Sequence, residues 1–339
     1  MLSALAAGKP VITANKELIA ARGPELIRAA GRSGVPLLFE AAVGGGIPII
    51  RPLSETLAGE PISRVMGIVN GTTNFILTRM ADDGSPYDEA VAEAQALGYS
   101  EPDPTADVSG SDAAAKTAIL ASLAFGTWVG IEDVYHEGIE SVSTADLRYA
   151  ADFGYVIKLL AIAEHSEEGI SARVHPVMLP RDHPLAPIHG PMNAIFIESP
   201  SIDQLLFAGP GAGGEPTATA LLGDVIDAGR DLLAGARVAP RIRFAPRDLI
   251  AFEHVFTAWY VRLEVDDRPG VLAQIAGAFG DAGVSIRSVR QEGRGSGATL
   301  NIVTHRAVES SQREAAFSLE KLDAVRSVAS VIRVEGDEP

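Results

Sequence analysis

The chain has 339 residues, of which 47% are hydrophobic, which is enough for two or three domains with apolar cores. Its formal net charge of −16 argues against nucleic acid and anionic membranes as partners. The absence of cysteine excludes disulfides, thiolate metal sites and a thiol nucleophile. Because no apolar run reaches the ~20 residues of a membrane helix and no basic leader opens the chain, we expect a cytoplasmic protein.

The N-terminal part predicts the end of an α/β domain rather than its beginning. A buried-strand pattern at residues 10–14 is followed by a helix at 23–31 and a second strand at 35–40. Two strands cannot form a stable doubly wound sheet alone. Either other parts of the chain complete this sheet, or its start is missing.

Two crossings from strand to helix carry small residues. Residues 44–46 are three glycines before Pro48. Their spacing favours a tight turn, and bare backbone facing a ligand or cation is the alternative. After a strand at 63–69, the polar stretch N-G-T-T-N at 70–74 precedes a helix at 75–80. Such a stretch suits a small polar substrate, although a well-capped turn would look similar.

The most informative stretch, residues 98–120, places four carboxylates ahead of one lysine, Lys116, on an alanine-rich helix. Ser109 or Ser111 is the expected helix cap, which puts the last carboxylate one turn before Lys116. A solvated loop with one ion pair is the ordinary interpretation. Apolar neighbours instead favour a partly buried lysine, a suitable proton donor to a carbonyl oxygen. The carboxylates are those of Glu101, Asp103, Asp107 and Asp112.

The middle of the chain carries weaker signals. Its pattern predicts a helix at 144–163 and strands at 170–179 and 193–199. Between the two strands lie His183 and His189, with no carboxylate at ligand spacing. We interpret them as loop residues rather than a zinc site.

Residues 209–214, G-P-G-A-G-G, formally match G-x-G-x-x-G between a strand at 204–208 and a helix at 216–233. We reject a dinucleotide-binding fingerprint here, because no later strand carries the acidic residue expected about twenty positions on. The helix is expected to pack on the first domain and to face a cofactor cleft. A hydrolase is excluded, since the chain has no G-x-S-x-G elbow and no cysteine.

Beyond a linker at 237–258, the pattern changes to a compact βαββαβ unit, which predicts a ferredoxin-like fold. A turn at 293–297 separates its central strands. The strands are expected at 260–265, 284–291, 298–304 and 330–334, and the helices at 271–282 and 310–322.

The motif at 98–116, with T-A-N-K at 13–16, E-A-A-V-G-G-G-I-P at 40–48 and N-G-T-T-N at 70–74, resembles homoserine dehydrogenase over essentially the whole chain. The C-terminal unit, with D-D-R-P-G at 266–270, resembles an ACT domain, a small amino-acid-sensing module. The resemblance implies an α/β, partial Rossmann-like nucleotide-binding domain and an α+β catalytic and dimerisation domain, followed by a ferredoxin-like ACT domain. Their expected ranges are 1–40 with 204–236, then 41–203, and 259–336.

The resemblance implies reduction of L-aspartate 4-semialdehyde to L-homoserine with NADP or NAD, a step in threonine, methionine and isoleucine biosynthesis. It makes Lys116 the proton donor, with Asp107 supporting it and Lys16, at the end of a strand, reaching the cofactor and the reacting oxygen. It also implies binding residues for the substrate (Glu101, Asp112, Asn70, Thr72), the cofactor (Lys16, Gly98, Gly213), a sodium ion held mainly by carbonyl oxygens (Glu40, Val43, Gly45, Ile47) and an effector (Asp267, Gly270).

L-Threonine is the expected effector by pathway logic, and a homodimer or homotetramer the expected assembly. The family begins with a strand, a G-x-G-x-x-G turn and a helix that do not precede Met1 here. At ~30 residues per strand–helix unit, roughly a hundred residues are missing. We therefore expect poor cofactor binding, aggregation through exposed apolar surface and an unpaired edge, and little dehydrogenase activity.

The alternative to an enzyme is a non-catalytic fragment that binds an amino acid and dimerises through residues 259–336. Asp267 and Gly270 lie in a turn before a helix N-terminus, where a ligand carboxylate or amine could bind. A plain Pro-Gly connection is the commoner interpretation of such a turn.

Overall fold

The computed structural model describes residues 1–235, 242–293 and 297–336. Part of the expected linker and most of the expected turn at 293–297 lie outside these residues. The chain divides into two compact units, of which the first comprises residues 1–140, 159–175 and 187–249, and the second the remainder. Among the described residues, no helix has both the length and the apolar character needed to cross a bilayer.

Ten α-helices occur in the described part of the chain: α1 Leu2–Ala6, α2 Lys16–Ser33, α3 Gly71–Asp83, α4 Tyr87–Ala96, α5 Thr105–Val108, α6 Ser111–Phe125, α7 Thr144–Asp152, α8 Gly214–Leu233, α9 Val271–Asp281 and α10 Glu309–Leu319. Short 3₁₀ or π segments lie at Glu40–Ala42, Pro52–Thr56, Ile131–Asp133 and Phe252–His254. The strands are β1 Val11–Ile12, β2 Leu37–Leu38, β3 Arg64–Ile68, β4 Tyr135–His136, β5 Tyr155–Ser166, β6 Gly169–Pro180, β7 Met192–Ser199, β8 Asp203–Pro210, β9 Phe256–Val265, β10 Ile286–Glu292, β11 Ala298–Thr304, β12 Ala307–Val308 and β13 Val325–Val334.

The N-terminal part of the first unit is a small parallel β–α–β arrangement. Strands β1 and β2 pair in parallel, with Val11 opposite Leu37. Helix α2 between them is longer than the expected 23–31, because Asn15 caps it by accepting the Leu18 N–H at 2.8 Å. It ends at Gly34, whose φ of 67° is the left-handed conformation that glycine adopts at low cost.

Strand β3 is the centre of the first unit's antiparallel sheet. It pairs with β5 on one side and β7 on the other, so that Met66 faces Ile162 and Phe196, and β8 continues the sheet beyond β7. The predicted strands at 63–69, 193–199 and 204–208 are thus confirmed. The pairing brings the C-terminal end of β3, which leads into α3, close to β7.

The helix expected over 144–163 is wrong in its second half. Helix α7 stops at Asp152, and Gly154, with φ of 84°, reverses the chain into β5. The apolar run that follows is buried at almost every position, as in a covered strand. A continuous apolar run has no periodicity that separates a strand from a buried helix, which explains the error.

The second unit contains the expected βαββαβ arrangement, with strand order β10–β11–β9–β13. Alternate residues of β9 point to opposite sheet faces: Trp259, Val261 and Leu263 join an apolar core with α9 and α10. On the other face, Arg262 makes a 2.8 Å ion pair with the fully buried Asp146 of α7. The ferredoxin-like prediction is therefore confirmed.

A buried carboxylate, that of Glu309, stands at the start of α10. It accepts hydrogen bonds from Thr257 Oγ1 (2.7 Å), Trp259 Nε1 (3.0 Å) and Arg333 Nη2 (2.7 Å). Burial disfavours its ionised form, but Arg333 and the hydrogen bonds outweigh burial and lower the pKa of Glu309. One carboxylate thus ties α10 to β9 and β13.

We expect Glu309→Ala to destabilise the second unit by ~3–5 kcal/mol, because the buried Arg333 guanidinium would lose its 2.7 Å ion pair with Glu309. Urea unfolding followed by tryptophan fluorescence measures this loss. Since the folded pKa of Glu309 is lowered, its contribution is present above the unfolded pKa and disappears as the pH falls through the folded pKa. Glu314→Ala, at an exposed position of the same helix, is the matched control, and an equal loss there would contradict the assignment.

Candidate active site

The ammonium of Lys116 lies in the first unit near the N-terminus of α6. Its Nζ donates to Asp112 Oδ2 at 2.6 Å and to the Val69 carbonyl at 2.7 Å, and its side chain is 13% exposed. An ammonium has three N–H groups. With two acceptors supplied by the described residues, one N–H remains for an oxygen of a bound molecule.

The carboxylate of Asp112 is shared by two lysines. Its Oδ2 accepts from Lys116, while its Oδ1 lies 3.1 Å from Lys16 Nζ. Burial opposes ionisation of Asp112, but Lys116, a hydrogen bond from Asn70 and Lys16 outweigh it and lower the pKa of Asp112. Burial likewise opposes the charge of Lys16, yet Asp112 and Glu17 raise the pKa of that lysine. The charged form of Lys16 and the ionised form of Asp112 are therefore both favoured.

Lys16 reaches this cluster from a different element than expected. It is the first residue of α2 and not the end of a strand. Its ammonium also contacts Glu17 Oε1 at 2.9 Å. Two lysines thus approach Asp112 from the N-terminal turns of two helices, α2 and α6.

Asn70 joins Asp112 to Asp107. Its Nδ2 donates to Asp107 Oδ1 at 2.7 Å and to Asp112 Oδ2 at 2.9 Å, while its Oδ1 accepts the Thr73 N–H at 2.8 Å. The polar loop expected at 70–74 is instead the first turn of α3, with Asn70 as the N-cap. The capped-turn interpretation is therefore the one that the structure adopts.

Two of the four carboxylates ahead of Lys116 do not join the cluster. Glu101 is exposed and, in the described part of the chain, its carboxylate forms no ion pair. Asp103 accepts from the backbone N–H (3.1 Å) and hydroxyl (2.6 Å) of Thr105. The expected serine caps are also wrong: Gly110 is the N-cap of α6, with φ of 83°. The spacing of the sequence predicted that four acidic residues precede Lys116, but it could not predict which of their side chains point towards that lysine.

Thr72 holds the segment that carries Glu101. Its hydroxyl donates to the Tyr99 carbonyl at 2.6 Å, and the ring of Phe75 packs at 5.0 Å from the Tyr99 ring. The described structure therefore gives Thr72 a structural contact, which fixes residues 98–101 beside the N-terminal turn of α3.

Gly98 and Gly213 were expected to approach the cofactor. Both are exposed, with φ of 76° and 118°, and no heavy atom lies within 4 Å of the position that a Cβ would take at Gly98. Bare, accessible backbone of this kind fits the close approach of a nucleotide. As expected, the segment 209–214 connects a strand to a helix, α8, that packs on the N-terminal part of the first unit.

The glycine segment 44–46 packs directly on the segment 209–214. Gly44 and Gly45 have φ of 74° and 54°, which confirms a tight turn. A Cβ on Gly45 would overlap the carbonyl of Gly211, and the Gly46 N–H donates to the Pro210 carbonyl at 3.1 Å. The glycines therefore serve both a turn and a close backbone approach.

The expected sodium residues surround this turn. The carboxylate of Glu40 accepts the N–H groups of Ile49, Ile50 and Arg51 at 2.6–3.0 Å, so its oxygens are occupied by backbone donors. The carbonyl of Gly44 accepts the Ile47 N–H at 2.8 Å. Val43 and Ile47 are buried. Because backbone donors occupy the Glu40 oxygens, the sodium prediction at this turn depends on its backbone carbonyl oxygens.

Sequence reasoning missed the clamp that fixes this turn. Arg51 Nη2 makes a 2.8 Å ion pair with the buried Asp224 of α8, and Asp224 Oδ2 accepts the Glu40 N–H at 3.0 Å. Burial raises the pKa of Glu40 despite its three backbone donors. Helix α8 carries three aspartates, Asp224, Asp227 and Asp231, and their spacing does not single out Asp224 as the buried one.

The expected effector residues lie in the second unit. Asp267 Oδ1 accepts from Gln291 Nε2 at 3.0 Å, and Gly270 is the N-cap of α9 with φ of 89°. Both are exposed. In the part of the chain that the structure describes, no group of three or more acidic or histidine side chains is arranged to hold a metal ion.

Comparison with known proteins agrees with these features. A family profile described as homoserine dehydrogenase matches residues 48–226, and an ACT domain profile matches residues 259–323. Homoserine dehydrogenase of Corynebacterium glutamicum is 49% identical over 99% of this chain and 77% of the relative. That of Mycobacterium tuberculosis is 48% identical over 99% of this chain and 79% of the relative.

Solved structures show the same similarity. The crystal structure of a homoserine dehydrogenase from Thiobacillus denitrificans is 42% identical with a TM-score of 0.93, covering 98% of this chain and 78% of that one. A hyperthermophilic archaeal homoserine dehydrogenase in complex with NADPH is 34% identical with a TM-score of 0.60, covering 68% of this chain and 67% of that one.

We expect Gly45→Ala to cost ~1–3 kcal/mol of stability by overpacking, because the new methyl group would overlap the Gly211 carbonyl and the φ of 54° disfavours a side chain. Thermal unfolding measures the loss. Gly59→Ala is the control, since no heavy atom lies within 4 Å of its Cβ position. Equal melting temperatures of the two variants would show that the two glycine segments do not depend on close contact.

Proposed function

The chain belongs to the homoserine dehydrogenase family, and we propose that it reduces L-aspartate 4-semialdehyde to L-homoserine by proton donation from Lys116. The single observation that carries this mechanism is the Lys116 ammonium, held by Asp112 and the Val69 carbonyl with one N–H to spare. A reduced nicotinamide cofactor, when bound, supplies the hydride for the aldehyde carbon.

In the proposed reaction, Lys116 donates a proton to the aldehyde oxygen as that oxygen gains negative charge. Asp112 orients the ammonium, and its lowered pKa favours the ionised form before the proton is transferred. Lys16, 3.1 Å from the same carboxylate, adds a second positive charge beside the reacting oxygen. Asp107 supports this arrangement through Asn70.

For the substrate, we propose that Glu101 binds the ammonium group, with Thr72 holding the Glu101 segment in place. The exposed Glu101 carboxylate is free to meet a positively charged ligand group. Asp112, whose oxygens already accept from two lysines and Asn70, acts on the substrate through those lysines.

The cofactor is a nicotinamide dinucleotide. Binding measurements with NADP and with NAD will show which of the two this chain uses. Gly98 and Gly213 would approach it with bare backbone. We further propose that carbonyl oxygens of Val43, Gly45 and Ile47 hold a sodium ion, which would stiffen the turn packed against residues 209–214.

The ACT domain implies binding of an amino-acid effector, and we propose L-threonine, held at Asp267 and Gly270. Both stand where the chain enters α9, whose N-terminal N–H groups can receive a ligand carboxylate. We also propose that the chain assembles as a homodimer or homotetramer and that it acts in the cytoplasm.

We expect Lys116→Ala to lower kcat by ~10²–10⁴-fold, the usual contribution of a positioned proton donor, while substrate binding is largely kept. Steady-state assays of the oxidation of L-homoserine and the reverse reduction measure this. Lys9→Ala, at an exposed position outside the cluster, should retain wild-type turnover. Unchanged turnover in Lys116→Ala would remove that lysine from the mechanism.

Threonine should bind the wild-type chain with measurable heat in titration calorimetry, and Asp267→Ala should weaken binding at least about tenfold through the loss of a charge-assisted hydrogen bond. Asp281→Ala, at the exposed far end of α9, provides the matched control. An absence of heat and of any thermal shift with the wild type would count against threonine as the effector.

A further inference from the structure

Asn70 occupies the point where the cap of α3 meets the acidic cluster. We propose that Asn70 is a positioning residue, whose amide holds Asp107 and Asp112 in place so that Asp112 can bridge Lys16 and Lys116. For its effect on turnover, this inference rests on the function proposed above. Its effect on Asp112 can be measured without turnover.

The hydrogen bonds of Asn70 leave no group for the substrate. Both N–H groups of Nδ2 point at carboxylates, Asp107 at 2.7 Å and Asp112 at 2.9 Å. Its Oδ1 accepts from the backbone N–H (2.8 Å) and the hydroxyl (2.9 Å) of Thr73. Two donors and two lone pairs are the full capacity of an amide.

The same contacts fix the orientation of the amide. A flipped Asn70 would turn its oxygen towards two carboxylates and its N–H groups towards the Thr73 N–H. Both contacts would be repulsive. The backbone at the α3 cap therefore fixes the direction of the two Asn70 N–H groups. These N–H groups in turn position the Asp112 carboxylate.

Several charged side chains surround Asp112, so the loss of the Asn70 amide would change how well its ionised form is stabilised. It is faced by Lys116 from α6 and Lys16 from α2, while Asp107 approaches from α5 through Asn70, and Glu17 lies beside Lys16. The neutral amide is what separates the two carboxylates. Without its donors, the ionised form of Asp112 loses a hydrogen bond and its repulsion from Asp107 is less well compensated.

Two substitutions separate this role from helix capping. Asn70→Ser and Asn70→Asp both keep a side-chain oxygen that can accept the Thr73 N–H, since serine and aspartate cap helices about as well as asparagine. Serine lacks the two amide donors, and aspartate replaces them with a third negative charge. We expect both variants of the full chain to fold, with melting temperatures below that of the wild type and lowest in Asn70→Asp, because hydrogen bonds to two carboxylates are lost and the Asp112 pKa rises.

The decisive measurement is a carboxyl-carbon NMR titration of protein labelled at aspartate, with the Asp112 signal assigned from Asp112→Asn. The midpoint should rise by roughly one pH unit in Asn70→Ser, since a hydrogen bond to a charged group is lost. It should rise further in Asn70→Asp, where a like charge is added. An unchanged Asp112 midpoint in both variants would overturn the proposal.

Asn74→Ala is the matched control. Asn74 is also an amide in the first turn of α3, but its Nδ2 donates to the carbonyls of Ile188, Gly190 and Met192, away from Asp112. It should lower stability without moving the Asp112 midpoint. An equal shift in Asn74→Ala would assign the effect to general loosening of α3 and would also contradict the proposal.

Kinetics then distinguish this inference from the proposed function. In an active wild type, the acid limb of the kcat/KM profile should move to higher pH in the order wild type, Asn70→Ser, Asn70→Asp, with a ~10-fold or larger loss at low pH. A uniform loss at every pH would overturn the positioning role. A wild type that binds cofactor but never oxidises homoserine would contradict the proposed function and leave the NMR result standing.

Discussion

The shared carboxylate of Asp112 is the interaction on which the rest of the first unit's site depends. The ammonium groups of Lys16 and Lys116 both contact this carboxylate, and without a counter-charge between them the two ammonium groups would repel each other. Asp112 supplies that charge to Lys116 at 2.6 Å and to Lys16 at 3.1 Å. Helices α2 and α6 are therefore held together at their N-terminal turns by the same group that aims the proposed proton donor.

A second constraint couples the glycine turn to the proposed cofactor segment. Gly45 has no side chain, so the backbone of residues 44–46 can lie against Gly211. Arg51 and Asp224 then lock α8, which follows that segment, onto the turn. A change at either segment must move the other, since the contact between them is backbone on backbone and leaves no flexible side chain to absorb it.

The sequence predicted features that depend on local spacing. The pair Asp112 and Lys116 is four residues apart on one helix, a separation that brings side chains together in any such helix. The ferredoxin-like unit followed from alternating strands and helices. The composition of residues 70–74 indicated a polar site, but the contacts of Lys16 and Asn70 with Asp112 left no local pattern, because they depend on the tertiary arrangement of three helices. No local sequence pattern predicted where the Glu101 side chain points. None predicted the ion pair between Arg51 and Asp224 either, because these two residues are far apart in the chain.

Three helices begin at the cluster, and this shared geometry has an electrostatic consequence. Helix α2 begins at Lys16, α3 is capped by Asn70, and α6 begins just before Asp112. The N-terminal turn of a helix carries a partial positive charge from its free N–H groups. Positive dipole ends beside two lysines are unfavourable in the resting protein, and the carboxylates of Asp112, Asp107 and Glu17 offset that cost. In the proposed reaction, a substrate oxygen that gains negative charge would meet the Lys116 ammonium already held in place by Asp112 and Val69, so little reorganisation would be needed.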